Sequence, residues 1–135
     1  MQDCIFCKLV KGEIPSAKVY EDKDVLAFLD IGPVNKGHTL VIPKKHYETI
    51  WEIPDKTLEV LITKSKTISK AIEKALKADG VNIMISNRKA AGQLVPHAHI
   101  HIIPRHEGDG FKYWAQGKYE EGEMQSYAEM IKKNL

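Results

Sequence analysis

The sequence predicts an α+β domain built on an antiparallel sheet. Three observations lead there. Short apolar runs bounded by Gly, Pro or Asp recur through the first and last thirds of the chain. A single long stretch, residues 55–78, carries apolar residues at helical spacing. The strand candidates Val81–Ser86 and His97–Ile103 are joined by one polar loop, which fits an antiparallel pair better than a crossover.

The elements follow in order. Residues 3–14 read as a short helix or turn ending at Ile14-Pro15. Ala17–Tyr20 and Val25–Leu29 are strands, with the polar turn Glu21-Asp22-Lys23-Asp24 between them. Residues 30–37, Asp-Ile-Gly-Pro-Val-Asn-Lys-Gly, form a loop. His38–Ile42 is the third strand, stopped by Pro43. In the long helix Leu58, Leu61, Ile62, Ile68, Ala71, Ile72, Ala75 and Leu76 make an apolar stripe that packs on a sheet. Asp55 is placed to cap its start, and Gly80 lies just past its end. With Val81–Ser86 and residues 97–103 the sheet has about five strands. Residues 107–135 are expected to form an irregular tail, with room for a short helix at 124–133.

The bulk numbers narrow the function classes. A chain of 135 residues with 43% hydrophobic content fits one domain, residues 1–135, around one core. Twenty basic and eighteen acidic residues leave a formal charge of +2, so no broad footprint for nucleic acid is expected. No stretch is apolar enough to cross a membrane, and residues 1–7 show no secretory signal. The expected location is therefore the cytoplasm.

The chemistry concentrates in residues 92–104. Three of the six histidines, His97, His99 and His101, alternate with apolar residues. In a strand they share one face while Ala98, Ile100 and Ile102 point to the core. Residues two apart on a strand are separated by about 7 Å, so the three imidazoles cannot all bind one metal. Divided roles follow: an outer histidine can serve a metal while the middle one performs chemistry. Gly92 allows close backbone approach to a ligand, and the Gln93 amide can donate to a phosphate or a leaving group. Arg88, Lys89 and Arg105 add positive charge nearby. The pair Cys4-x-x-Cys7 leaves three readings open: two half-buried cysteines, a redox pair, or half of a zinc site.

The run Gly92-Gln93-Leu94-Val95-Pro96-His97-Ala98-His99-Ile100-His101-Ile102-Ile103 resembles the signature of the histidine triad (HIT) family. Residues 4–15, Leu26–Ile31 and Gly37–His46 resemble other parts of bacterial and archaeal members, so the likeness covers residues 3–106. It implies a HIT-like α+β fold, with one long helix and a short N-terminal helix on the sheet, and a twofold homodimer. It also implies hydrolysis of a purine nucleotide phosphoanhydride or phosphoramidate. His99 would be the nucleophile and form a covalent nucleotidyl-histidine. His101, His38 and Gln93 would hold phosphate oxygens and move protons. Asp30 would accept from the ribose hydroxyls, although a turn-forming role suits it equally. Phe28 and Ile31 would wall the base, where composition alone makes them core residues. Asn87 and Gly92 would belong to the phosphate loop.

The same resemblance implies a structural zinc held by Cys4, Cys7, His46 and His97, a closed tetrahedral set. Leu94 replaces a hydroxyl residue of many members, Ser86-Asn87-Arg88 replaces Asn-Asn-Gly, and Pro96 removes a backbone donor before the triad. A nucleotidyltransferase, or a nucleotide-binding regulatory protein with little turnover, are the alternatives.

Overall fold

The computed structural model describes residues 3–135, so Met1 and Gln2 of the stretch read for a signal segment lie outside it. Helix α1 (Ile5–Val10) leads into strands β1 (Lys18–Glu21), β2 (Val25–Leu29) and β3 (Thr39–Pro43). Helix α2 (Asp55–Leu76) precedes β4 (Gly80–Ile85) and β5 (Ile100–Arg105), and α3 (Glu123–Lys132) closes the chain. The five strands form one antiparallel sheet in the order β1-β2-β3-β5-β4. The fold is the α+β arrangement that the sequence implies.

Alternation along the strands gives the sheet two different faces. Val25, Ala27, Val41, Ile100 and Ile102 join Leu61, Ile68 and Ile72 of α2 in one core. Leu26, Phe28, Leu40 and Ile42 join Phe6 and Leu9 of α1 in a second core on the opposite face. The histidine segment lies on this second side, edge-on to Phe6.

Local chemistry explains the turns. Asp22 Oδ1 accepts from the amides of Asp24 and Val25, each at 2.8 Å, and closes the β1–β2 hairpin. Two helix-end expectations are corrected. Asp55 is the first helical residue of α2 and does not cap it; Pro54 occupies the cap position without a side-chain bond. At the other end Lys77, not Gly80, takes the left-handed conformation with φ 50°, and the Ala78 amide closes onto the Glu73 carbonyl. Gly80 instead begins β4.

The histidine strand starts later than its alternation suggests. β5 begins at Ile100, and residues 95–97 bend before it. Pro96 has no N–H for a ladder, the His97 amide turns back to the Val95 carbonyl at 2.8 Å, and the Ala98 amide bonds the Tyr47 carbonyl at 2.7 Å. Beyond β5, residues 112–120 carry no regular structure and α3 buries none of its residues. No helix among the described residues is long and apolar enough to cross a membrane.

The loop entering β3 is pressed against the end of α2. Gly37 sits at φ +97°, and a Cβ there would overlap Leu76 Cδ1 and approach Pro104 Cγ at 3.6 Å. Gly37→Ala puts left-handed strain on a non-glycine residue and pushes aside the partly exposed end of Leu76, for a cost of roughly 1–3 kcal/mol. The expected outcome is a lower denaturant midpoint with an unchanged m-value. An unaltered midpoint would show that the loop does not press on α2.

Candidate functional site

The geometry begins with His97, which is fully buried. Its Nε2 lies 2.8 Å from the Pro43 carbonyl oxygen. A carbonyl only accepts, so Nε2 carries the ring proton and Nδ1 keeps its lone pair. That Nδ1 faces Cys4 Sγ at 3.4 Å and Cys7 Sγ at 3.7 Å. His46 Nδ1 lies 3.4 Å from Cys7 Sγ. The four ligand atoms are all within 4.8 Å of one another. A tetrahedral zinc with ordinary Zn–S and Zn–N bonds sets its S···N edges at about 3.5 Å. The cluster therefore has the dimensions of a closed Cys2His2 centre and is capable of coordinating a metal.

Local structure builds this cluster. Cys4 precedes α1, and its Sγ accepts from the Cys7 amide at 3.4 Å, which folds both sulfurs to one side. Burial, with the neighbouring Cys4, pushes the Cys7 thiol up from its ordinary value. Two thiolates side by side in this setting need a cation between them.

The next histidine is tied to the first. His99 Nδ1 lies 2.7 Å from the His97 carbonyl oxygen, so Nδ1 donates and Nε2 holds the lone pair. Nε2 makes no hydrogen bond among the described residues, yet no buried polar side-chain atom there lacks a partner. This nitrogen therefore reaches solvent although the ring as a whole is buried. Phe6 packs edge-on against the ring at 5.2 Å between centroids. Burial lowers the His99 pKa, while the His97 carbonyl and Asp30 act the other way. A neutral imidazole with a fixed tautomer and one open lone pair has the chemistry that nucleophilic attack requires.

His101 stands beside it, with ring centroids 4.8 Å apart. Its Nδ1 is 2.9 Å from His38 Nε2, and Asp30 Oδ2 lies 3.7 Å from that same Nε2. Asp30 forms the turn and also faces the histidines. Oδ1 accepts from the Gly32 amide at 2.9 Å and shapes the turn, while Oδ2 faces the histidine pair. The structure thus brings His38, His99, His101 and Asp30 into one constellation.

The remaining candidates are placed elsewhere. Gln93 is buried, with Nε2 donating to the Glu48 carbonyl and Oε1 accepting from the Arg88 amide, both at 2.7 Å. Asn87 Oδ1 accepts from the Ile50 amide at 2.8 Å. Gly92 holds φ +94°, and open space surrounds a Cβ there, so its role is conformational. Gln93 and Asn87 together tie the loop before the triad to residues 48–50. Phe28 is a core residue in edge contact with Phe6, while Ile31 is fully exposed, so they do not enclose a base pocket within one chain. Two contributors gave little sequence signal. The Pro43 carbonyl and the seal made by Phe6 both act through packing that a sequence does not display.

Burial sets the electrostatics of the site. It pushes His97 down to about 4, opposed by the Pro43 carbonyl. It does the same to His101, down to about 4, with His99 and His38 adding to the effect. His38 is lowered by burial and raised in part by Asp30. An unfolded imidazole takes up its proton near 6.5, whereas folded His101 resists until about 4. Between these values the unfolded chain binds more protons, so stability falls as the pH falls through this window. Denaturant midpoints are expected to decline there, and to decline less steeply in His101→Asn. Equal slopes for the two proteins would remove His101 from the account.

Known proteins share this fold and sequence. Residues 11–108 match the HIT domain family. A solved HIT family protein from Bacillus subtilis superposes with a TM-score of 0.90 at 45% identity, covering 98% of this chain and 97% of that one. A zinc-bound histidine triad protein from Mycobacterium smegmatis superposes with a TM-score of 0.78 at 36% identity, covering 98% and 96%. Adenosine 5'-monophosphoramidase of Saccharomyces cerevisiae is 46% identical over 104 residues, which cover 77% of this chain and 63% of the yeast protein. With its family match spanning most of the sequence and its histidines in this arrangement, the chain belongs to the histidine triad family.

Proposed function

We propose that the protein hydrolyses a purine nucleotide phosphoramidate or phosphoanhydride through a nucleotidyl-histidine intermediate. The observation that carries this reading is the open Nε2 lone pair of His99, fixed by the bond from Nδ1 to the His97 carbonyl. Similarity to the yeast monophosphoramidase supports the reaction class.

In the first step His99 Nε2 attacks the α-phosphorus and a P–N bond forms. The bond to the leaving amine or phosphate breaks, and the departing group takes the proton of His101 Nε2. His38 lies next to His101, and its position suits it to steady charge on the phosphate oxygens. In the second step water attacks the same phosphorus and returns a proton to His101. The nucleoside monophosphate leaves and His99 is regenerated. Asp30 Oδ2 would accept from the ribose hydroxyls, with the exposed Ile31 at the base and Phe28 backing that wall from the core. Gln93, with its amide bonded to the Glu48 carbonyl, would act on the phosphate through the loop that it shapes with Asn87 and Gly92.

His99→Ala removes the attacking atom. Nucleoside monophosphate release from adenosine phosphoramidates and diadenosine polyphosphates is expected to drop by at least about 10³-fold. Equal rates would sink the nucleophile assignment. Tight nucleotide binding by the wild type without turnover on any of these substrates would favour a regulatory protein instead.

The reading extends to zinc and to a second copy. Cys4, Cys7, His46 and His97 would hold zinc as a structural ion that pins α1 and the His46 loop to the histidine segment. The zinc-bound Mycobacterium smegmatis relative supports that choice of metal. β4 is a sheet edge with Ile83 and Met84 exposed, and α3 exposes Met124, Tyr127 and Ile131. Such an edge and such a helix are covered in a homodimer. Native mass spectrometry is expected to show a dimer with one zinc per chain. A metal-free monomer would overturn both statements.

A further inference from the structure

The loop between β2 and β3 places a backbone donor against the histidine pair. The Val34 amide donates to His38 Nδ1 at 3.1 Å. An amide N–H cannot accept, so Nδ1 of His38 holds a lone pair and the ring proton of the neutral imidazole sits on Nε2. Nε2 lies 2.9 Å from His101 Nδ1 and donates to it. His101 Nδ1 is then an acceptor, and its own proton sits on Nε2. That atom has no hydrogen-bond partner among the described residues and, by the same accounting as His99, is open to solvent.

Asp30, His38 and His101 also stand close enough to suggest a cation site, with one ligand atom from each inside 4.8 Å. The Val34 amide argues against it. A metal on His38 Nε2 would force the ring proton onto Nδ1, where it would point at another N–H. A proton between the rings, with the Asp30 carboxylate 3.7 Å from the donor nitrogen, satisfies every group.

The loop holds this donor firmly. The Gly32 amide bonds Asp30 Oδ1 at 2.9 Å, the His38 amide bonds the Asn35 carbonyl at 3.0 Å, and the Asp30 amide bonds the His38 carbonyl at 2.8 Å. Asn35 Nδ2 donates to the Pro104 carbonyl at 2.9 Å, which ties the loop to the end of β5.

We propose that the Val34 backbone amide is a positioning group that sets the proton order of the His38–His101 pair, so that His101 always presents Nε2–H. The consequence for leaving-group protonation rests on the hydrolase reading above; the tautomer assignment does not. With His99 locked by the His97 carbonyl in the opposite sense, neighbouring rings expose a lone pair and a proton. One attacks and the other donates, with no tautomer exchange in between.

Two measurements test this. In the full chain labelled with ¹⁵N-histidine, long-range ¹H–¹⁵N spectra at neutral pH should show His38 and His101 both protonated at Nε2 and bare at Nδ1. A proton on Nδ1 of either ring would overturn the proposal whatever the substrate proves to be. The second measurement replaces the Val34 amide by an ester, which deletes the N–H and keeps the side chain. Turnover of a phosphoramidate with an alkylamine leaving group should fall at least about tenfold in kcat, with KM little changed. Turnover of a nitrophenyl nucleotide ester, whose leaving group needs no proton, should fall less than about threefold. Equal losses on both substrates, or no loss on either, would reduce the amide to a purely structural contact. If the wild type turns over neither substrate, the hydrolase reading fails while the spectra still decide the tautomers.

Discussion

The hydrogen bond from His97 Nε2 to the Pro43 carbonyl organises the rest of the site. It buries an imidazole with its proton spent on the sheet and its lone pair turned toward two cysteines. The same residue's carbonyl then accepts from His99. One residue therefore holds a corner of the Cys/His cluster and fixes the tautomer of its neighbour. A disturbance at the cysteines would reach His99 through a single peptide unit.

Packing makes these bonds count. α1 lays Phe6 across the His97 and His99 rings and against Phe28, so the imidazoles sit in an apolar setting. Burial lowers the pKa of both rings and favours their neutral form, which keeps a lone pair free. The opposite face of the sheet has a simpler task. Its apolar residues close on the stripe of α2 and give the histidine segment a rigid floor. Chemistry and stability are thus divided between the two faces.

Backbone groups do much of the positioning. The Pro43 carbonyl, the His97 carbonyl and the Val34 amide each determine which nitrogen of a histidine carries its proton. None of the three depends on the side chain of the residue that supplies it. Gln93 illustrates the converse. Its side chain stands out in the sequence, yet both of its polar atoms bond main-chain groups of the surrounding loops.

Much of this was legible in the amino-acid sequence. The alternation of His97, His99 and His101 with apolar residues, the Cys4-x-x-Cys7 spacing, the α2 stripe and the strand runs are local patterns, and local patterns report periodicity and residue chemistry directly. They were enough for the fold class, and with the family resemblance they indicated which histidines would cluster. β5 starts three residues later than the alternation implies, because Pro96 and the Tyr47 carbonyl compete with the ladder at that point. The end of α2 was misjudged because a non-glycine residue, Lys77, accepts the left-handed conformation. Ring tautomers, the exposure of Ile31, the inward turn of Gln93 and the role of the Val34 amide had no signal of their own. Each depends on a main-chain atom or a neighbour far away in the chain, and only the folded structure brings those partners within hydrogen-bonding distance. Residue order alone specifies which chemical groups the protein owns and the periodicity that assembles them; which atom of each ring is bonded and which is left open follows from contacts that the chain forms only when it closes on itself.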